Sequence, residues 1–339
     1  DPWAVIEEGF HPDRSRVSES IFSLGNEYMG VRGYFEEGYS GDSLPGSYLN
    51  GVYEEAAICH PQHFKGLATR RCFMVNAMDW LYVRMRVDDE TLDLAHSAFT
   101  DFTRRLDLRS GTLERALVWH TASGKRLKLS FLRFLSMATP YLGCQRVMLE
   151  AVDFSGPVEI VVGLDFSPRY ELMDRNFWAC PRKDQQGDVV AILGQTESSG
   201  QKAFSGFQLH CSQSLDASLV EDEQFIGLAC SLPLEQGRPV SLDKVVVNYA
   251  EKRGEVTAHA VWEQGISLAA AHCRRPFDQA LVEHAAYWKR VWDTLDVTIE
   301  GDPANQQGVR FCIFQLHQTY HGVDPSLNVG AKGLTGEVY

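Results

Sequence analysis

Alternating apolar and polar residues dominate the chain from about residue 1 to residue 265. Every second residue is apolar in segments 81–87, 127–131 and 158–166, and segment 244–249 is rich in β-branched residues. A period of two is typical of strands that bury one face. Glycine-containing turn dipeptides punctuate the region at 110–111, 123–124, 155–156, 187–188, 199–200 and 253–254. Many strands without long helices between them predict a mainly β fold, a large antiparallel sandwich.

The period changes to that of a helix near residue 268. Apolar residues at spacings of four, three, four and three predict a helix over about 277–295: Leu281, Ala285, Trp288, Trp292 and Leu295. A short strand is predicted at 297–299. Asp302 as N-cap and Pro303 at the first helical position then begin a second helix, over about 303–321.

This second helix is strongly apolar. Six of the eight residues from 309 to 316 are apolar, so we expect the helix to be buried nearly all round. One amphipathic helix and one sheet cannot cover it. It therefore packs either in an oligomer or against further helices after residue 339, and we favour the second.

Composition and charge exclude some classes of partner. The 339 residues are 44% apolar and 23% charged, as in ordinary globular proteins, and the length favours two or more structural units. A formal net charge of −13 disfavours nonspecific binding to nucleic acid or anionic membranes. No apolar run approaches the roughly 20 residues that cross a bilayer, and no leading segment has the pattern of a signal peptide.

The cysteines indicate a reducing compartment. All eight are scattered singly, without a CxxC pair, and no Asn-x-Ser/Thr sequon occurs. Such cysteines are more typical of buried free thiols than of a disulfide framework. We therefore predict a cytoplasmic protein.

Candidate metal-ligating residues are few. Phosphate-loop, dinucleotide-binding, nucleophile-elbow and HExxH motifs are absent from the sequence. The one metal-like cluster consists of Cys59, His60, His63 and Cys72, and its spacing fits no common zinc site. A structural role is favoured for these residues, and also for His210 beside Cys211.

Aromatic and acidic residues also favour structural roles. The tryptophans could stack on sugars, but in a β-rich domain they are more often core or interface residues: Trp3, Trp80, Trp119, Trp178, Trp262, Trp288 and Trp292. Four acidic pairs could be imagined as an acid and a base: Glu7-Glu8, Glu36-Glu37, Glu54-Glu55 and Asp88-Asp89. Adjacent carboxylates on a strand point to opposite faces, so each pair is predicted to be a solvated turn.

Three glycine-rich segments are more distinctive. Segment 19–33 (ESIFSLGNEYMGVRG) predicts a strand, a tight turn at Gly25-Asn26 and a second strand. Segment 48–53 (YLNGVY) places an Asn-Gly turn between aromatic residues. Segment 330–339 (GAKGLTGEVY) holds three glycines around Lys332 and Glu337, a composition that lets the backbone run close to a ligand or another element.

Taken together, these segments resemble the N-terminal half of glycoside hydrolase family 65 proteins. That family includes the maltose, kojibiose, nigerose and trehalose phosphorylases and related hydrolases. The matching stretches occur in family order and span the chain: ESIFSLGNEYMGVRG, YLNGVY, Asp79-Trp80, LDLRSGTLER (106–115), RFLSM (133–137), Gly301-Asp302 and GAKGLTGEVY. Glu27 departs from the family, which more often has glycine after Gly-Asn.

The resemblance implies an architecture. Residues 1–268 would form a super-β-sandwich, 269–300 a helical linker, and 301–339 the start of an (α/α)6 barrel that is otherwise missing. The apolar helix would be the first barrel helix. The sandwich would support the barrel and contribute to a homodimer.

The resemblance also implies a function. The parent enzyme would be an inverting α-glucosyl disaccharide phosphorylase with inorganic phosphate as co-substrate and no cofactor. In the family, GAKGLTGEVY leads into a Phe-Trp-Asp segment that holds glucose, and the catalytic acid lies further on. No catalytic, cofactor-binding or metal-ligating residue is therefore assigned to this chain, which we expect to be inactive alone. Segments 48–53 and 330–339 are expected near the acceptor sugar.

Two alternatives stay open. The parent could be a family-65-like α-glucoside hydrolase, in which water activated by a second carboxylate replaces phosphate. The chain could also be a free-standing sandwich that binds carbohydrate or protein without catalysis. The second alternative predicts a last helix packed on its own sandwich. The fragment interpretation predicts exposed apolar surface over 303–339.

Overall fold

The strands of the protein assemble mainly into two large sheets. A computed structural model describes residues 1–57, 65–327 and 329–334. The strands are β1 (Ala4–Glu8), β2 (Leu24–Gly25), β3 (Met29–Val31), β4 (Ser47–Leu49), β5 (Tyr53–Ala57), β6 (Arg70–Met74), β7 (Val83–Val87), β8 (Glu90–Thr91), β9 (Ala98–Asp107), β10 (Thr112–His120), β11 (Arg126–Leu135), β12 (Leu142–Ala151), β13 (Gly156–Asp165), β14 (Trp178–Gln186), β15 (Val189–Thr196), β16 (Lys202–Cys211), β17 (Ala217–Asp222), β18 (Phe225–Leu234), β19 (Val240–Glu251) and β20 (Ala331–Leu334). The helices are α1 (Ser15–Ile21), α2 (Ala258–His272), α3 (Phe277–Leu295) and α4 (Pro303–Thr319), with 3₁₀ turns at Pro12–Arg14 and Glu171–Met173.

All pairings between neighbouring strands are antiparallel. The larger sheet has nine strands in the order β1-β9-β10-β11-β12-β19-β16-β15-β14, and the smaller has five in the order β17-β18-β13-β7-β8. Two further small sheets, β2-β3-β4 and β5-β6, lie beside them. The predicted antiparallel sandwich is confirmed.

The period-two segments supply the core between the large sheets. On β13, Val158, Ile160, Val162 and Leu164 are all buried, and they pack in one cluster with the inward residues of β7 and β11. The alternate residues of β13 are more exposed or face outward. The alternation of the sequence thus gives such strands one core face, which the hydrophobic effect keeps out of water.

Helix α2 covers the outer face of the nine-stranded sheet and was not predicted. It begins inside the region assigned to the sandwich, where no long helix was expected. Thr257 caps it by accepting a hydrogen bond from the Ala260 N–H (3.2 Å). A Cβ at Gly265 would lie 2.2 Å from the Phe204 ring, so the helix packs very close to β16. This cover explains why β19 is buried on both faces.

Helices α3 and α4 match the predictions closely. The structure confirms the first over Phe277–Leu295 and the second from Pro303, with the Asp302 side chain accepting from the Asn305 N–H. The predicted strand at 297–299 is wrong. The Gln306 side chain instead binds the Val297 carbonyl and the Ile299 N–H. None of the helices in the described ranges is both long and apolar enough to span a bilayer.

Helix α4 is not buried all round within the described residues, contrary to expectation. Its buried stripe is largely polar and consists of Gln306, Arg310, Phe314 and Gln318. Arg310 pairs with Asp296 at the end of α3 (2.8 Å), and the Gln318 side chain accepts a hydrogen bond from the Gly25 N–H of β2. Phe311 and Ile313 are partly buried against the core, whereas Cys312 and Leu316 face outward, and Leu316 is 73% exposed.

The amino group of Lys244 is buried in the core of the sandwich. Its Nζ donates to the carbonyl oxygens of Trp80 and Gly163, both at 2.6 Å. Burial lowers its pKa from 10.5 to about 7 because removal from water disfavours the charged form.

We predict a pH-dependent contribution of Lys244 to stability. Between about pH 7 and 10.5 the unfolded chain holds the proton that the folded chain has lost, so stability rises with pH. The contribution is complete above pH 10.5 and disappears as pH falls through 7. The free energy of unfolding, measured with urea, should rise more steeply in the wild type than in Lys244→Met, by up to about 1.4 kcal/mol per pH unit. Lys128→Met, at an exposed position of β11, serves as the control. Equal slopes for the wild type and Lys244→Met would contradict the prediction.

Candidate functional site

The distinctive glycine-rich segments meet where the sandwich contacts the helices. We call this place the junction, and it comprises residues 24–31, 47–53, the C-terminal half of α4, residues 320–322 and residues 329–334. A Cβ at Gly30 would lie 2.4 Å from the Leu334 carbonyl oxygen. Leu334 packs with Tyr48 and Met74 in a buried cluster. The structure therefore brings segment 48–53 and the start of the Gly-rich segment together, as expected for a close backbone approach. Residues 335–339 lie outside the described residues.

Glu27 fastens the backbone that leaves α4. Its φ of 67° lies in the left-handed region, and the residue is only 1% exposed. Its Oε2 accepts hydrogen bonds from the backbone N–H groups of His321 and Gly322, both at 2.8 Å. Its own N–H donates to the Gln318 carbonyl at 2.7 Å. The predicted tight turn thus falls at Glu27, and this residue joins the turn to the helix.

Two asparagines fix the same turn from its other sides. The Asn26 Nδ2 donates to the carbonyl oxygens of Ser136 and Pro140, both at 2.8 Å. The Asn50 Nδ2 donates to the Glu27 carbonyl at 2.8 Å. The turn is therefore bound to the β11–β12 connection, to segment 48–53 and to α4 at once.

A cluster of titratable groups lies beside Glu27. The Tyr287 hydroxyl and the His317 Nε2 share a hydrogen bond of 3.2 Å, and the rings of His317 and His321 stack with centroids 5.3 Å apart. The His321 Nδ1 is 3.2 Å from the Glu27 Oε2. Burial, helped by His321, lowers the pKa of His317 to about 4. His317 is therefore uncharged at neutral pH.

A cavity of about 470 Å³ opens at the junction. Its polar lining consists of the side chains of Gln315, Gln318 and Thr319 and the backbone at Gly25, Gly330 and Gly333. Among the lining side chains that the structure describes, none is charged. This described part of the lining suits a neutral polar ligand better than an ion.

Helix α3 docks on the sandwich through His284. The Met137 N–H donates to its Nδ1 (3.2 Å), so its Nε2 carries the proton and donates to the Gly111 carbonyl (3.0 Å). Gly111 has a φ of 68°, and a Cβ there would lie 2.0 Å from the Trp288 Nε1. Burial lowers the pKa of His284 to about 4. Segments 106–115 and 133–137 thus form the docking surface for α3. Both are among the stretches that resemble glycoside hydrolase family 65.

The acidic pair Glu36-Glu37 is buried, so its prediction as a solvated turn is wrong. Arg115 pairs with both carboxylates, and the Arg133 Nη1 donates to Glu36 at 2.7 Å. Burial raises the pKa of Glu36, but the guanidinium groups of Arg133 and Arg115 outweigh it and hold the pKa below its usual value. Two buried cations compensate the two carboxylates. The network is structural and leaves no free acid.

The solvated-turn prediction is also wrong for Glu7-Glu8, which lie on strand β1, where Glu7 accepts hydrogen bonds from Arg104 and Ser18. The remaining two pairs differ in burial. Glu54 is fully buried and accepts hydrogen bonds from the N–H groups of Ser198 and Ser199, so the solvated-turn prediction is wrong for it. Asp88 lies in an exposed turn and pairs with Lys125 at 2.7 Å, as predicted.

The metal-like cluster is only partly described. Cys59, His60 and His63 lie outside the described residues. Cys72 is exposed on β6, opposite Glu55. Within the described ranges, no group of three or more side chains is arranged to hold a metal ion. The structural role of this cluster stays a prediction.

The tryptophans are core and interface residues, which confirms that prediction. Six of the seven are buried, and Trp3 packs edge-on against Trp292 at 5.1 Å. The Trp292 Nε1 donates to the Leu108 carbonyl (2.8 Å) and the Trp178 Nε1 to the Asn76 carbonyl (2.7 Å). His210 likewise has a structural contact, 3.2 Å from the Cys273 carbonyl.

Sequence reasoning missed the polar residues of α4 that shape the junction. Gln306, Arg310 and Gln318 lie on one face of a helix that is otherwise rich in apolar residues. Polar residues that recur at helical spacing in such a helix indicate a buried face whose polar groups are hydrogen-bonded to other parts of the chain. Glu27 carried a weaker signal, a carboxylate directly after Gly-Asn. Its partners at 321 and 322 are too distant in sequence to be foreseen.

The fold and the junction define a class of protein: a large antiparallel β-sandwich with docked helices and a cavity at their meeting point whose described lining carries no charged side chain. The profile of "Glycosyl hydrolase family 65, N-terminal domain" matches residues 5–291, and the chain belongs to this family.

Relatives of known name match the whole chain. The α,α-trehalose phosphorylase of Thermoanaerobacter brockii is 29% identical over 362 residues, which cover 100% of this chain and 45% of that protein. The maltose phosphorylase of Bacillus subtilis is 29% identical over 355 residues, with the same two coverages. A solved structure of a candidate kojibiose phosphorylase from the human microbiome has a TM-score of 0.93 at 32% identity and covers 99% of this chain and 44% of its own. The chain thus spans less than half the length of these relatives.

We predict that two Glu27 variants will distinguish the effect of backbone strain on stability from the effect of the carboxylate hydrogen bonds. Glu27→Ala should lower the free energy of unfolding by about 2–4 kcal/mol, because two hydrogen bonds to a buried carboxylate are lost. Glu27→Gly should lose about 1 kcal/mol less, since glycine relieves the left-handed conformation. Amide exchange at His321 and Gly322 should accelerate in both variants.

Asp101 provides the matched control, since it is an exposed residue with a φ of 55°. Asp101→Gly should again exceed Asp101→Ala in stability, without any effect on exchange at 321 and 322. Unchanged exchange at those amides in Glu27→Ala would show that the carboxylate does not hold the turn.

We predict that His284 makes the docking of α3 sensitive to acid. The unfolded chain binds a proton near pH 6.5 and the folded chain near pH 4, so stability falls as pH drops through this window. The wild type should lose about 3 kcal/mol more than His284→Gln between these pH values, as measured by urea unfolding. His210→Gln should retain the wild-type profile. A His284→Gln profile parallel to that of the wild type would refute the assignment.

Proposed function

We propose that this chain is the N-terminal part of an inverting α-glucosyl disaccharide phosphorylase. The parent enzyme converts a disaccharide and phosphate to β-glucose 1-phosphate and a free sugar. The observation that carries the proposal is the match over the whole chain to relatives named as phosphorylases, together with a TM-score of 0.93 to one solved structure.

The proposed reaction needs catalytic groups, and we assign none of them to a residue of this chain. In an inverting mechanism a carboxylic acid protonates the glycosidic oxygen while the nucleophile attacks the anomeric carbon from the opposite face. The acidic residues at the described core positions Glu36, Glu37 and Glu54 are bound to arginines or backbone N–H groups. We propose that the carboxylic acid and the phosphate-binding groups lie outside residues 1–339.

In this proposal the sandwich supports the catalytic domain through the junction. The outward apolar face of α4, with Leu316 at 73% exposure, packs against further helices of the parent enzyme. Glu27 and Gln318 set the path of the backbone from α4 to Gly330, and segments 48–53 and 329–334 border the acceptor sugar.

The proposal includes a compartment and an assembly. The seven cysteines in the described part of the chain are all free thiols, which supports a reducing, cytoplasmic environment. A homodimer is proposed through the sandwich. The alternatives are a family-65-like α-glucoside hydrolase and a non-catalytic domain that binds carbohydrate or protein.

The test compares purified 1–339 with a longer polypeptide from the same gene. Each is incubated with trehalose, maltose and kojibiose, with and without inorganic phosphate, and β-glucose 1-phosphate and glucose are quantified. We expect the longer protein to release β-glucose 1-phosphate only with phosphate, and 1–339 to release none.

Three results would contradict the proposal. Glucose release that is independent of phosphate would favour the hydrolase. No turnover by the longer protein would favour the non-catalytic domain. β-Glucose 1-phosphate formed by 1–339 alone would show that the catalytic groups lie within the chain.

A further inference from the structure

A relay of amide groups runs from β2 into the junction cavity. The Gly25 N–H donates to the Gln318 Oε1 at 2.8 Å. This bond fixes the orientation of the Gln318 amide, whose Nε2 then donates to the Gln315 Oε1 at 2.7 Å. Each amide therefore has a defined orientation, because a backbone N–H at the start can only donate.

The relay ends in a donor without a partner. The Gln315 Nε2 is buried and has no hydrogen-bond acceptor among the residues that the structure describes, while the Gln315 Oε1 accepts from Gln318. Gln315 lines the cavity. A buried unpaired donor is costly, and such groups in native proteins call for an explanation, such as a ligand or ordered water.

The cavity wall around Gln315 is held in place. The Thr319 hydroxyl donates to the Gln315 carbonyl at 2.7 Å. Gly333, with a φ of 71°, passes close to Thr319, so that a Cβ there would lie 3.2 Å from its Oγ1. The donor is thus presented from a preorganised helix and strand rather than from a loose loop.

The lining selects the chemistry of a ligand. The volume of about 470 Å³ is within the range of about 300–1,000 Å³ typical of small-molecule sites. Among the described lining side chains, none is a cation that could pair with phosphate, and none is an anion that could pair with an amine. Leu24 and Val329 add apolar surface beside the amides. Amide donors next to apolar surface suit the hydroxyls and C–H faces of a sugar ring.

We propose that this cavity binds a neutral sugar unit of the size of glucose, with the Gln315 Nε2 donating to one of its hydroxyl oxygens. The inference rests on the proposed function, which it deepens by assigning a sugar-binding residue to this chain. Glucosyl units and uncharged acceptor sugars are the neutral sugars that would fit this cavity. The described lining offers no cation to inorganic phosphate.

The first test observes the donor directly. In ¹⁵N-labelled wild-type 1–339, titration with D-glucose should shift the side-chain amide signals of Gln315 and the backbone signals of Thr319 and Gly333, with saturation in the millimolar range typical of weak binding. Inorganic phosphate at the same ionic strength should leave them in place. Shifts with phosphate instead of glucose, or none with glucose, would overturn the proposal.

The second test removes the donor and keeps the volume. Gln315→Met should weaken glucose binding about fivefold or more, the loss expected for one hydrogen bond. Gln264→Met, at an exposed site of α2, should bind as the wild type does. Unchanged affinity in Gln315→Met would refute the role of the amide. If Gln315→Met does not fold, the wild-type titration still decides.

The failure of this inference differs from failure of the proposed function. Phosphorolysis by the longer protein without glucose-induced shifts at Gln315 would leave the proposed function intact and refute the site. Glucose-induced shifts without any turnover would support the site and favour a non-catalytic sugar-binding domain.

Discussion

The junction depends on one buried carboxylate in an unfavourable backbone conformation. A non-glycine residue in the left-handed region costs about 1 kcal/mol, yet Glu27 has a φ of 67°. The conformation persists because its carboxylate accepts the N–H groups of His321 and Gly322, which follow α4. Its backbone binds Gln318, the same residue that orients the amide in the cavity. One turn of the sandwich thereby sets both the exit of α4 and the polar wall of the cavity.

The sandwich makes that turn rigid through buried ionic and polar contacts. Arg115 and Arg133 pair with Glu36 inside the sandwich, and the Arg133 guanidinium also donates to the carbonyl oxygens of Arg32 and Tyr34. Loss of one partner would leave a buried charge uncompensated, which is strongly destabilising. The segment just after β3 is therefore held on the nine-stranded sheet, and the junction is built on that base.

The sequence predicts the regular parts of this structure and not its long-range polar contacts. The period of two, and the Asp302-Pro303 signal, depend on local physics and were confirmed. Helix α2 was missed because its sheet-facing stripe includes Gly265 and Ala269, whose small side chains give a weak helical pattern. Glu37 pairs with Arg115, and Glu27 contacts His321. These partners are far apart in sequence, so the residues next to Glu27 and Glu37 do not predict that the two carboxylates are buried.

Amide hydrogen exchange on the wild-type chain tests most directly whether the turn, α4 and the Gly-rich segment form one folded unit. If Glu27 and Leu334 join these segments, the amides of Gly30, Glu27 and His321 should exchange through one common opening reaction. The opening free energies calculated from their exchange rates should then be similar. Exchange at 321–322 and 333–334 that is orders of magnitude faster than at Gly30 would contradict this, and would show that the sandwich does not hold the backbone after α4.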